Sequence, residues 1–246
     1  MSLPNYTDTI AVYSVPRLIF SDTMFCATSA FGPIGVRIHN PERGVFWDQI
    51  LTRAIEDVIA DENVKYVLTV DFDTIFGSKS VIALRTLLDA HPNMDAICPM
   101  QLKRGTYEPL CCRYNDDGTH QATVPMTEFD TEIRRITSGH FGLTLFRASV
   151  FKQLKRPWFW AQPDPNGSWR DNRVDSDVWF WRKFDAQGFS LFMANKVRVG
   201  HVESVPVWPD DVLRPVHGAK PVEDGPVFGT TAAQGTVTPI GNGRAA

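Results

Sequence analysis

Two aspartates, Asp71 and Asp73, flank Phe72 at the end of an apolar, β-branched run, Val67-Leu68-Thr69-Val70. In an extended chain alternate residues point the same way, so this spacing predicts both carboxylates on one side and Phe72 opposite. Like charges so placed are costly unless a cation joins them or one carboxyl keeps its proton. Oxygen ligands of this kind suit a hard divalent ion, Mg²⁺ or Mn²⁺, with positions left open for phosphate oxygens. The same residues also fit a strand that runs into a turn, where Asp is favoured for its local hydrogen bonds.

Two later groups carry further chemistry. Asp175-Ser176-Asp177 opens a helical stretch with Val178, Phe180, Trp181 and Phe184 apolar and Gly188 as its stop. An aspartate there either caps the helix or serves as a general base. In the second case the helix end lowers its pKa and partial burial raises it again. Val197-Arg198-Val199 reads as a strand that ends in Gly200-His201. A neutral imidazole is compatible with Mn²⁺ beside carboxylate and phosphate oxygens; a strand-end histidine can equally bond to backbone.

Elements that would position these groups follow from periodicity. Thr9–Val15 reads as a strand closed by Pro16, with Arg17 in the loop where an α/β sheet places its ligand crevice. Residues 18–32 read as a helix, Ile34–His39 as a strand, and Val45–Ala60 as an amphipathic helix. The Asp71 strand follows, then a helix over Ser78–Ala90 and a strand over Asp95–Met100. This alternation predicts right-handed crossovers and a mostly parallel sheet. Residues 104–137 carry turn signals and read as an antiparallel excursion. Ser138–Arg147 reads as a strand, Ala148–Lys155 as a short helix, and residues 190–194 and 197–199 as two strands.

Composition bounds the class. The chain has 246 residues, Lys+Arg 25 against Asp+Glu 28, and a net charge of −3. That length fits one large α/β domain or two small ones, hydrophobic residues at 43% fit a globular chain, and no run approaches the ~20 apolar residues of a membrane span. The N-terminal residues lack a basic segment followed by an apolar one, so the expectation is a cytoplasmic protein. Cys26, Cys98, Cys111 and Cys112 form no CxxC pair and read as reduced thiols. A slightly acidic chain lacks the concentrated positive charge of a nucleic-acid binder. From Val205 the composition shifts to Pro, Gly, Thr and Ala, which divides the chain into a catalytic domain over 1–204 and a peripheral extension over 205–246. Within that extension, residues 229–246 read as a mobile tail or a surface-lying extension.

Taken in order, Asp71-Phe72-Asp73, the acid at Asp177 and the late Gly200-His201 resemble the GT-A glycosyltransferases, and among them the family-2-like enzymes in their compact bacterial and phage forms. The resemblance covers roughly residues 9–204. It implies a Rossmann-like nucleotide-sugar fold and transfer of a hexose from a nucleotide-diphosphate donor, a UDP- or GDP-sugar, to an acceptor hydroxyl. Asp73 and His201 would ligate Mn²⁺ or Mg²⁺, and Asp71 would reach the metal through water or hold the donor ribose. Pro16, Arg17 and Phe72 would line the donor site. Asp177 would be the base, with Asp175 as its rival because Ser176 stands where the family has Glu. Gly139, His140, Trp158, Trp160 and Trp169 would form the acceptor side, the tryptophans as a lid or a sugar platform. A glycan, a protein or a modified DNA base all remain candidate acceptors. Two other classes compete. A nucleotidyltransferase would want a glycine-rich phosphate loop, absent from Ser14-Val15-Pro16-Arg17. A binding module would have no use for a base.

Overall fold

The computed structural model describes residues 3–15, 18–39, 44, 46–104, 106, 108–114, 120–121, 124–170, 172–203, 207–209 and 215–217. In chain order the elements are β1 (Thr9–Ser14), α1 (Ser21–Phe31), β2 (Arg37–Ile38), α2 (Trp47–Ile59), β3 (Tyr66–Asp71), β4 (Thr74–Ile75), α3 (Ser78–Ala90) and β5 (Ala96–Met100). Then follow β6 (Arg113–Tyr114), β7 (His120–Gln121), β8 (Ile133–Ile136), β9 (Leu143–Arg147), α4 (Ala148–Gln153), α5 (Ser176–Ala186), β10 (Leu191–Arg198) and β11 (Gly200–His201). The chain divides into two units, Met1–Glu203 and Ser204–Ala246. In the second, β12 (Val207–Pro209) and β13 (Pro215–His217) pair antiparallel. Pro16, Arg17 and residues 229–246 lie outside the described residues. No helix among the described residues is long and apolar enough to cross a membrane.

Seven strands form one mixed, mostly parallel sheet in the order β2-β1-β3-β9-β5-β10-β8. β1 runs parallel to both β2 and β3, and β5 parallel to β10. β9 lies between β3 and β5, antiparallel to both, and β8 closes the edge antiparallel to β10. The alternation of Ile10 and Val12 with Ala11 and Tyr13 supplies two cores, one on each face. α1 and α3 cover the first face through Ala27, Phe31, Val81, Leu84 and Leu88. α2, α4 and α5 cover the second through Leu51, Ile55, Phe151, Phe180, Trp181 and Phe184.

The sequence reading and the structure part at defined places. Residues 138–142 are not strand; only Leu143–Arg147 is. The two expected strands at 190–194 and 197–199 are one, β10, whose register on β5 shifts between Ala194 and Arg198. The expected strand at 34–39 shortens to Arg37–Ile38 behind a 3₁₀ turn, Gly32–Ile34. Gly35 follows with φ of 69°, a conformation that suits glycine.

Phe141 ties the second core to the loop ahead of β9. Its ring lies 5.0–5.4 Å from those of Trp47, Phe159, Phe180 and Trp181, mostly edge to face. Truncating a buried aromatic in such a cluster costs about 3–5 kcal/mol. Phe141→Ala is therefore expected to lower the free energy of unfolding by that amount, read as a lower urea midpoint at an unchanged slope. A loss under about 1 kcal/mol would show that the cluster does not anchor this face.

Candidate active site

The site lies where the parallel strands end, the edge at which open α/β sheets place ligands. β1 ends at Ser14 and β3 at Asp71, and the two residues are paired in register. Asp71 continues the Val67–Thr69 face of β3, the face covered by α2 and α5. Its Oδ1 accepts hydrogen bonds from Ser14 Oγ and from Trp47 Nε1, the latter at 3.2 Å. Even so, burial pushes the Asp71 carboxyl above the ordinary carboxylate range; the nearby Asp177 charge raises it further, whereas His201 lowers it.

The strand stops at Asp71, and Phe72-Asp73 make a turn before β4. This corrects the extended reading, in which Asp71 and Asp73 share one strand face. Phe72 stacks on Phe20 with ring centres 6.0 Å apart. Asp73 is buried, and its Oδ2 accepts from the Arg104 guanidinium. The same oxygen lies 3.3 Å from His201 Nε2.

A clip of three strand ends sets that last distance. β11 pairs antiparallel with β4, matching Gly200 to Ile75 and His201 to Thr74. The buried Gln101 side chain, just past β5, donates to Thr74 Oγ1 and to the Gly200 carbonyl. Val202 N–H donates to the Asp73 carbonyl at 2.8 Å. His201 Nδ1 donates to the Leu102 carbonyl at 3.0 Å, which aims Nε2 at Asp73. When Nε2 is unprotonated its lone pair faces a carboxylate, an arrangement that calls for a cation between them.

Among the described residues no group of three or more His, Cys, Asp or Glu side chains is placed to hold a metal ion. Asp73 and His201 make a two-ligand pair, an oxygen beside a nitrogen. That donor set fits Mn²⁺ or Mg²⁺ if diphosphate oxygens complete the shell. The Arg104 guanidinium stands in for such a cation on Asp73.

Across the cleft, Asp175 is the N-cap of α5, yet its carboxylate makes no capping bond. It is exposed and accepts from Arg173 Nε at 2.8 Å. Asp177, in the first turn, accepts the Val178 N–H at 2.8 Å. Burial nevertheless raises its carboxyl pKa, and the charge of Asp175 adds to the rise. Ser176 Oγ donates to Asp48 Oδ2 at 3.0 Å, pinning the start of α5 to the start of α2. A cavity of about 390 Å³ is lined by Trp47, Asp71, Leu110, His140, Phe141 and Asp175–Asp177.

The acceptor-side residues named from sequence scatter. His140 is buried, donates from Nε2 to the Pro99 carbonyl and accepts the Gly142 N–H at Nδ1. Burial lowers its pKa to about 4, so it is a neutral clamp on the loop wall. A methyl group on Gly139 would meet Leu191, Cys98 and Ile136, so this glycine faces the interior. Trp158 is buried, its Nε1 donating to the Leu154 carbonyl, whereas Trp160 and Trp169 are exposed. Sequence reasoning did not find Ser14, Trp47 and Arg104. Ser14 was reachable, because in-register pairing with β3 sets it opposite Asp71; Trp47 and Arg104 come from long-range packing.

The sequence matches no family model and no curated protein. Solved structures do match. A197 from STIV aligns at a TM-score of 0.55 and 10% identity, over 86% of this chain and 94% of that one. GalNAc-T7 with UDP, GalNAc and Mn²⁺ aligns at 0.54 and 12%, over 82% of this chain. This chain has a GT-A-like fold. It spans 44% of the GalNAc-T7 chain, less than half the length of that neighbour.

The buried carboxyl of Asp177 makes a prediction about stability. A carboxyl raised above its unfolded value of 3.8 binds protons better when folded, so its contribution is complete below about pH 4 and is lost as pH rises through the folded pKa. Asp177→Asn keeps the acceptor for Val178 N–H and removes the buried charge. Thermal melts across pH 3–8 should show the variant more stable than wild type at neutral pH, with the gain vanishing near pH 4. A variant less stable at neutral pH would contradict the assignment.

Proposed function

We propose that this chain is a metal-dependent glycosyltransferase that moves a sugar from a nucleotide-diphosphate donor to an acceptor hydroxyl. The observation that carries this reading is the placement of two acids, Asp71 and Asp177, in one cleft beside the Asp73–His201 pair. The GT-A-like fold supports it, and so does a neighbour that holds UDP, GalNAc and Mn²⁺. UDP is accordingly the donor nucleotide to test first.

Asp73 and His201 would hold the divalent cation, Mn²⁺ or Mg²⁺, which would supply charge neutralisation and Lewis acidity for the departing diphosphate. Asp71, kept in place by Ser14 and Trp47, accepts a hydrogen bond from the donor. Arg104 moves from Asp73 to the diphosphate, where a planar guanidinium can bond two oxygens at once. The acceptor hydroxyl attacks the anomeric carbon, the bond from that carbon to the diphosphate breaks, and Asp177 takes the hydroxyl proton. A base facing the donor across the cleft makes the transfer inverting. A raised pKa suits Asp177, since a base is most useful when its pKa approaches the working pH. Asp175, exposed and paired with Arg173, is the poorer base. Pro16 and Arg17, two and three residues after Ser14 in the sequence, are the donor-side residues to test by substitution.

The test is purified protein with Mn²⁺ and UDP-, GDP- and TDP-sugars, read as donor hydrolysis or transfer. Activity is expected with one nucleotide class. Asp73→Ala should abolish it together with Mn²⁺-dependent nucleotide binding. Asp177→Asn should lower transfer by at least about 10²-fold, the contribution of a general base, with nucleotide affinity within twofold of wild type. Full activity in Asp177→Asn, with loss in Asp175→Asn, would move the base to Asp175. Nucleotide binding that is indifferent to Mn²⁺ and never leads to turnover would leave a binding module.

A further inference from the structure

A second cavity among the described residues is a groove of about 780 Å³ that the transfer chemistry above does not use. One wall is the outward face of α2, with Asp48, Gln49, Thr52 and Arg53; the other is the segment Arg156–Ala161. Its volume lies within the range of pockets that bury small molecules, about 300–1,000 Å³.

Three links set this groove next to the catalytic cleft, across a shared wall. Trp47 lines the cleft and the next residue, Asp48, lines the groove. Phe159 forms part of the groove and packs edge to face on Trp47 at 5.2 Å. Asp48 accepts the Ser176 hydroxyl at 3.0 Å, one residue before the proposed base Asp177. The Asp48 end of the groove therefore lies against the first turn of α5, the turn that carries Asp177.

The lining chemistry selects the kind of molecule. Trp160 exposes 52% of its surface at the rim, an indole face open to an apolar partner. Asp48, Gln49 and Arg53 offer acceptors and donors of both kinds along the α2 wall. Arg156 is paired with Glu56 and lies over the Trp158 ring at 4.5 Å. With that arginine neutralised, and Asp48 set against Arg53, the groove has no single-sign field of the sort that holds a phosphodiester backbone. An aromatic face beside mixed donors and acceptors matches a sugar ring, which has one apolar face and a rim of hydroxyls.

We infer that this groove is the acceptor subsite and that the acceptor is a glycan, not a protein or a DNA base. The inference rests on the transferase reading of the neighbouring cleft. The Trp160 indole stacks on a sugar ring, Gln49 and Arg53 bond its hydroxyls, and the terminal hydroxyl passes Asp48 to reach Asp177.

The full-length chain, with UDP and Mn²⁺ present, is screened on an array of neutral and acidic oligosaccharides. Retained sugars are then titrated by tryptophan fluorescence, and UDP binding is measured separately by calorimetry. At least one oligosaccharide should bind, with its Kd weakened tenfold or more in Trp160→Ala and in Gln49→Ala. Both positions are exposed, so circular dichroism should report a folded variant, and UDP affinity should stay within twofold. Glycan binding unchanged in both variants would overturn the groove assignment. So would UDP binding with no glycan retained, or transfer to a peptide or to DNA instead. Glycan binding lost in the variants while the wild type fails to bind UDP would sustain the groove and sink the transferase reading.

Discussion

Three carboxylates at one edge of a sheet, partly or wholly out of water, are the constraint that organises this molecule. The charge of Asp177 acts against that of Asp71, and all three carboxylates lose hydration. No fold gathers such groups for stability, because an unpaired buried charge is expensive. Part of the cost is offset locally: Ser14 and Trp47 serve Asp71, Arg104 and His201 serve Asp73, and the Val178 N–H serves Asp177. The remainder appears as the raised pKa of Asp71 and Asp177. A perturbed pair of acids in a cleft is the usual mark of a site built for chemistry.

The scaffold delivers these acids by separate routes. Parallel strands bring Ser14 and Asp71 to the same edge in register. The antiparallel insertion of β9 carries residues 138–142 there too, where the Gly142 carbonyl accepts the Asp71 N–H at 3.3 Å. That loop supplies Phe141, which supports Trp47, and His140, which locks the loop to the end of β5. α5 arrives on the same face through Phe180, Trp181 and Phe184 and presents Asp177 from its first turn. His201 comes last, held by β11 on β4. Asp71 and Asp177 share one aromatic core through Phe141, Phe180 and Trp181, whereas His201 is set by the β4–β11 pair.

Much of this was legible in the sequence, for physical reasons. Helices α2 and α3 have strong 3.6-residue periodicity, and their predicted spans match closely. Buried strands β1 and β3 read clearly as runs rich in β-branched residues, and β5 as a short apolar one. The position of β9 was not legible: a continuous apolar strand does not encode its neighbours or its direction. The turn at Phe72-Asp73 was hidden for a related reason, since a two-residue spacing suggests extended chain until the backbone is seen to bend. Asp71, Asp73, Asp177 and His201 were named from type and order, and the structure sets Asp71 and Asp177 on one cleft and Asp73 beside His201. Arg104 was not named, because a lone loop arginine carries no periodic signal.

The account depends most on Asp73 and His201 acting together on one divalent cation. A crystal soaked with Mn²⁺ and UDP, measured on both sides of the manganese absorption edge, tests this directly. The account predicts one strong anomalous peak between the Asp73 carboxylate and His201 Nε2, in contact with the diphosphate, with Arg104 withdrawn from Asp73. Bound UDP with no such peak, or a peak that the Asp73 and His201 side chains do not touch, would contradict it.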